Sequence, residues 1–170
     1  MFGKTDIERY FAAEKTGALW IMILAGIIFL GSFSIWLTQK SAFSKGLMIP
    51  TGLLLVLAVV VGSTVYKRSD NDRKNMVYAF DMNPAKIQKQ EIPRLEKLHS
   101  RFKILLVAEL VLVIAGGVLV LLYYNKSLSE FLYGLGMGLL IAGLAALTVD
   151  YFASIRAMKY AEGLKSISAR

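Results

Sequence analysis

Charge is confined to the gaps between four apolar blocks, and that pattern restricts this chain more than any motif it contains. No Asp, Glu, Lys or Arg lies between Lys15 and Lys40, and Gly17 to Leu37 reads GALWIMILAGIIFLGSFSIWL. Lys45 and Lys67 enclose Gly46 to Tyr66. Lys103 and Lys126 enclose Ile104 to Asn125 with Glu109 alone charged inside, and Glu130 and Asp150 enclose Phe131 to Val149. A helix rises about 1.5 Å per residue, so about 20 residues cross a hydrocarbon core about 30 Å thick. Runs that are apolar on every side suit helices in lipid, whereas barrel strands alternate over about ten residues. The sequence therefore predicts an all-α integral membrane protein, a single membrane domain over 1–170. Transmembrane helices are expected at 17–38, 46–66, 104–125 and 130–150, as two tandem helical hairpins. Short amphipathic cytoplasmic helices complete the expected fold: an interfacial one in 1–16, more in the loop 67–103, and a continuation of the last span to about 162.

The first block is too long for the apolar core of a secretory signal and lacks an Ala-x-Ala site, so it is expected to be retained. Trp20, Trp36, Tyr66, Tyr123, Tyr124, Tyr133 and Tyr151 lie mostly near block ends, where amphipathic rings favour the interface. Orientation follows from Lys and Arg. Seventeen of them fall in the N-terminal segment, the 67–103 loop and the C-terminal tail, and three (Lys40, Lys45, Lys126) fall in the two short turns. That bias places both termini and the long loop on the cytoplasmic side of an inner membrane.

Composition removes several classes of function. With no cysteine there is no disulfide, thiolate nucleophile or Cys-bound metal, and the one histidine, His99, has no second ligand in sight. No cofactor or metal is expected. The formal charge of +8 sits beside apolar blocks, where anionic lipid head groups are closer partners than nucleic acid, for which no recognition module is visible. No Gly-rich phosphate loop, Ser/His/Asp set or pair of carboxylates within the spans is apparent, so no catalytic residue is expected.

A repeat is suggested by matched pairs in the same order. Lys40-Ser41 corresponds to Lys126-Ser127, Gly52-Leu53-Leu54 to Gly138-Leu139-Leu140, and Met76-Val77-Tyr78-Ala79 to Met158-Lys159-Tyr160-Ala161. Each unit crosses twice, so the two would form a parallel repeat about the membrane normal. Outside the spans, Thr5-Asp6-Ile7-Glu8 has the form of a capping box, after which Ile7, Tyr10 and Phe11 share one face. Asn83-Pro84 and Pro93 read as helix starts, with Leu95, Leu98, Phe102 and Leu105 as an apolar stripe. Ile155, Met158 and Ala161 are expected to pack against the loop helices. The resulting basic cap is either a face for anionic lipid or a docking surface for a protein.

Glu109 is the foremost candidate, about 9 Å of helix rise inside Lys103, where ionisable groups are costly. Its expected neighbours are Ser63 and Thr64, with Lys67 reaching down. It acts either as interhelical glue or as a proton- or cation-binding carboxylate. Asp150, at the block edge, is expected to pair with an Arg or Lys of the cap. Gly134, Gly138, Ala142 and Ala146 form a stripe of small residues, read as packing against Ala115-Gly116-Gly117 of the third span or as an interface with a partner or a second copy. Pro50 is expected near the start of the second span, with no hinge.

Four spans with both ends inside, in so short a chain, resemble the topology of some bacterial immunity proteins that protect the inner membrane against pore-forming toxins. That resemblance implies a non-catalytic protein that binds a toxin or another membrane protein. An oligomeric ion channel or transporter using Glu109 is the alternative, and an enzyme is third.

Overall fold

The structure, a computed structural model, describes residues 2–124 and 129–168. Lys126 and Arg170, and the predicted end of the third span at Asn125, lie outside them. Four long helices account for nearly all of the described chain: α1 (Lys4–Gln39), α2 (Ala42–Met82), α3 (Ile92–Tyr123) and α4 (Glu130–Ser168). Each contains a stretch long and apolar enough to cross a membrane, and the chain is a multi-pass membrane protein.

The helices outrun their apolar blocks. No separate helix forms in 1–16; α1 is continuous from Lys4 and starts before the predicted cap at Thr5. Gly3 takes the capping position and donates its N–H to the Asp6 carboxylate at 2.9 Å. Ile7, Tyr10 and Phe11, the shared face of the expected interfacial helix, are buried in protein, because the end of α2, the start of α3 and the end of α4 also extend and meet them. Likewise α2 runs through much of the predicted loop to Met82, and α4 passes Gly163 to reach Ser168.

The α1–α2 connection is a two-residue turn. Lys40 adopts a left-handed conformation (φ 49°) and its N–H bonds the Trp36 carbonyl at 2.9 Å, closing α1. Ser41 then caps α2, accepting from the Ser44 N–H at 3.2 Å. A side chain in the left-handed region costs about 1 kcal/mol relative to glycine. Lys40→Gly is accordingly expected to raise stability by about that amount, measurable as a higher apparent Tm in detergent.

Between α2 and α3, Asn83 starts a single turn at Pro84–Lys86, its carboxamide oxygen accepting from the Lys86 N–H at 3.3 Å. A π-helical turn, Ile87–Glu91, follows and leads into α3 with Pro93 in its first turn. Proline lacks an N–H and its ring crowds the carbonyl four residues back, here that of Lys89; widening this turn relieves the clash without ending the helix.

Two antiparallel pairs, α1 with α2 and α3 with α4, join through α2 against α4. Across the membrane α3 packs on α4 alone among the four, and only 6% of its apolar window is buried, against 17–22% for the others. The segments matched in the sequence have different neighbours. Gly52 faces the Phe29 ring of α1, while Gly138 faces Leu47 and Pro50 of α2. Tyr78 is exposed while Tyr160 is buried.

Candidate functional site

Glycine sets how closely the helices approach. A Cβ at Gly134 would collide with the Phe43 carbonyl, one at Gly46 with the Phe131 carbonyl, and one at Gly138 would lie 2.7 Å from the Leu47 oxygen and 3.0 Å from Pro50 Cγ. The stripe that begins at Gly134 and Gly138 therefore packs inside the chain, but on α2 rather than on the third span. Ala142 and Ala146 continue it as half-buried positions. A different face of α4 receives α3: a Cβ at Gly116 would sit 2.8 Å from the Gly136 oxygen, and Gly143 packs on Val113. Sequence spacing hides this second face, because Gly136 and Gly143 are seven apart whereas the stripe runs at intervals of four. Pro50, near the start of the second span, lies inside α2 because the helix begins earlier, at Ala42. Its ring fills the groove left by Gly138.

Within the span region, Ser32 of α1 and Thr51 of α2 share a buried hydrogen bond at 2.7 Å. Each hydroxyl also lies within bonding distance of a carbonyl of its own helix, so the one that accepts across the pair donates there and neither is left unpaired. Neither residue stands out in the sequence, where Ser and Thr are common in apolar helices.

Glu109 is 9% exposed and sits where α3 crosses α4, its backbone carbonyl facing Gly143. Side chains on a helix lean toward its N-terminus, so its carboxyl points back along α4 toward Asp150, which lies seven residues past Gly143 on the face of α4 that receives α3. This corrects two expectations. Ser63 and Thr64 lie on α2 and bond the Val60 carbonyl, because α2 does not face α3 there. Asp150 forms no ion pair with Arg or Lys among the described residues, since its side chain turns inward to Glu109. A pair of carboxyls within the membrane region, not apparent from spacing, is thus present: the partners are far apart in sequence and only the antiparallel crossing joins them.

At the end that carries both termini the helices close over one core, Ile7, Tyr10, Phe11, Met76, Ala79, Ile87, Leu95, Ala157, Tyr160 and Leu164. On α4 the buried face is Ala157, Tyr160 and Leu164, not the expected Met158, which is 42% exposed. Tyr10 stacks on Tyr160 with centroids 4.0 Å apart, and burial pushes both phenols above their ordinary range, keeping them neutral. The Tyr160 hydroxyl is buried with no hydrogen-bond partner among the described residues. Leaving a polar group unsatisfied costs about 1–3 kcal/mol. Tyr160→Phe is therefore expected to leave thermal stability unchanged or raise it by about 1 kcal/mol.

Ion pairs tie the helices at this end: Lys4 to Asp81 at 2.6 Å, Lys15 to Asp70 at 2.5 Å, Arg68 to Glu14 at 3.1 Å and Lys165 to Glu96 at 2.8 Å. Lying at or near the surface, where water screens them, these pairs serve register more than stability. Glu91, in the π turn, is different. It is buried and holds Arg94 through two bonds, from Nε at 2.8 Å and Nη2 at 2.7 Å, which keep the guanidinium firmly charged. Beside this pair opens a cleft of about 410 Å³ whose lining includes Phe11, Lys86 and two ion pairs, Arg68 with Asp72 and Arg94 with Glu91. Its basic side chains come from α2, the turn after it and α3. His99 is half-buried on α3, and no group of three or more His, Asp or Glu side chains among the described residues is placed to hold a metal.

Comparison with known protein families, with curated proteins and with solved structures finds no match to this chain.

Proposed function

We propose that this chain is a small non-catalytic protein of the inner membrane that holds a partner through its helix faces and its basic cap, in the manner of an immunity protein against a membrane-acting toxin or of an accessory subunit. The observation that carries the reading is the cap. All four helices extend beyond their apolar blocks and lock around a common aromatic core, presenting a cleft in which Arg68 and Arg94 are paired with Asp72 and Glu91 and Lys86 adds a further positive charge. Rigid surfaces of this kind bind with little ordering cost. The Lys and Arg distribution favours a cytoplasmic location for both termini, the cap and its anionic lipid contacts.

Native mass spectrometry of the full chain extracted in a mild detergent tests it. The expected species is a complex with one partner at fixed stoichiometry, lost on Lys86→Glu, which reverses charge in the cleft. A homo-oligomer unaffected by that substitution would contradict the reading.

The carboxyl pair favours a second reading, an oligomeric ion channel or transporter using Glu109. The two readings part on Glu109→Gln, which keeps shape and hydrogen bonding while removing charge. A partner-binding protein keeps its cellular activity in that variant; a channel or transporter loses it at unchanged expression.

A further inference from the structure

We infer that Glu109 and Asp150 hold a single proton between them, forming a proton-binding site where α3 crosses α4. Two ionised carboxylates bring acceptors and no donor. Brought together on the facing surfaces of α3 and α4, each would then lie beside a like charge, with Glu109 withdrawn from solvent. Glu109 Oε2 is buried and meets no hydrogen-bond donor, on a side chain that is 9% exposed. A proton on either group converts the contact into an O–H···O bond and supplies the missing donor.

The surroundings offer no other means of neutralisation. α4 is the element packed on α3 at this depth, and among the described residues Asp150 is the titratable group that reaches Glu109 from it. No Lys or Arg of α3 or α4 pairs with either carboxyl among the described residues. Arg156, further along α4 than Asp150, is turned away onto Gly17 of α1. A proton is the ligand that needs no further oxygen ligands; a bound sodium or calcium ion needs several. The pair is a shared-proton dyad, titrating as a unit rather than as two independent acids.

Infrared spectroscopy of the full chain in phosphatidylethanolamine–phosphatidylglycerol vesicles tests the site directly. At neutral pH the parent is expected to show the carbonyl stretch of one protonated carboxylic acid, and the E109Q/D150N double variant to lack it. Amides keep the volume and the mutual hydrogen bond, so α3 should stay docked. Dicyclohexylcarbodiimide gives a second readout that needs no variant. The acid O–H adds across a C=N bond of the reagent, and acyl migration to nitrogen leaves a stable N-acylurea, so the reagent marks protonated carboxyls in apolar surroundings. Peptide mapping of the parent is expected to place the adduct on Glu109 or Asp150. Absence of both the acid band and the adduct, or an adduct confined to other carboxyls, would overturn the proposal. So would a carboxylate band that shifts on adding sodium or calcium while no acid band is present, which would assign the site to a cation.

Discussion

Gly134→Ala should disrupt the junction of the two hairpins, at a cost of about 1–3 kcal/mol from one added methyl group. At this position a Cβ meets main chain, the Phe43 carbonyl of α2, and neither helix backbone has anywhere to yield. Gly46→Ala should behave alike, because its Cβ would strike the Phe131 carbonyl from the opposite side of the same contact. Gly138→Leu adds more bulk against Leu47 and Pro50 and should be at least as damaging. Gly26→Ala and Gly31→Ala supply the control. Both sit in α1 with nothing within 4 Å of the place a methyl group would take, and alanine improves helix propensity by about 1 kcal/mol, so stability should hold or rise. Thermal denaturation in detergent separates the two groups. Equal Tm values for Gly134→Ala and Gly31→Ala would show that α2 and α4 do not meet through their backbones.

Phe11→Ala should open the cap while leaving the spans in place. Phe11 is 1% exposed and touches the aromatic faces of Tyr10 and Tyr160 edge-on, at centroid distances of 5.1 and 5.8 Å. Removing a buried phenylalanine costs about 3–5 kcal/mol. At about 1.4 kcal/mol per tenfold change, amide exchange in Ile7–Lys15 should accelerate by about two orders of magnitude or more. Exchange within the apolar core of α1 should not change, because the cap and the α1–α2 span contact share no buried side chain around Phe11. Uniform acceleration along the whole of α1 would mean that the cap and the spans unfold together.

The spans are legible in the sequence because charge cannot enter lipid cheaply; a block bracketed by Lys15 and Lys40 announces its limits. Helix ends are not legible, since nothing polar forbids a helix from continuing into water. The stripe Ile7, Tyr10, Phe11 shows how the error arises: an amphipathic face reads the same whether lipid or protein covers it. Only the convergence of four helix ends, a tertiary fact, decides between them. Depth alone draws attention to Glu109, but the sequence points to the wrong helix for its partner. Depth can be counted along a sequence, whereas the rotation of α3 about its axis depends on Gly116, Gly136 and Gly143 bringing that face onto α4. The Gly134–Gly138 stripe is visible for the same reason as the spans, as composition, while its docking onto α2 follows from where Gly46 and Pro50 fall on the facing helix.

Cysteine accessibility bears most directly on the account that four crossings leave both termini and the cap on the cytoplasmic face. The chain has no native cysteine, so single substitutions report without background. Lys40, Asn71 and Glu162 are exposed positions at the α1–α2 turn, on the α2 extension and on the α4 extension. In intact cells with a permeabilised outer envelope, a membrane-impermeant maleimide should label Lys40→Cys and leave Asn71→Cys and Glu162→Cys unmodified until the inner membrane is opened. Protection of Lys40→Cys with labelling of the other two would invert the orientation, and labelling of only one of Asn71→Cys and Glu162→Cys would contradict the even number of crossings between them.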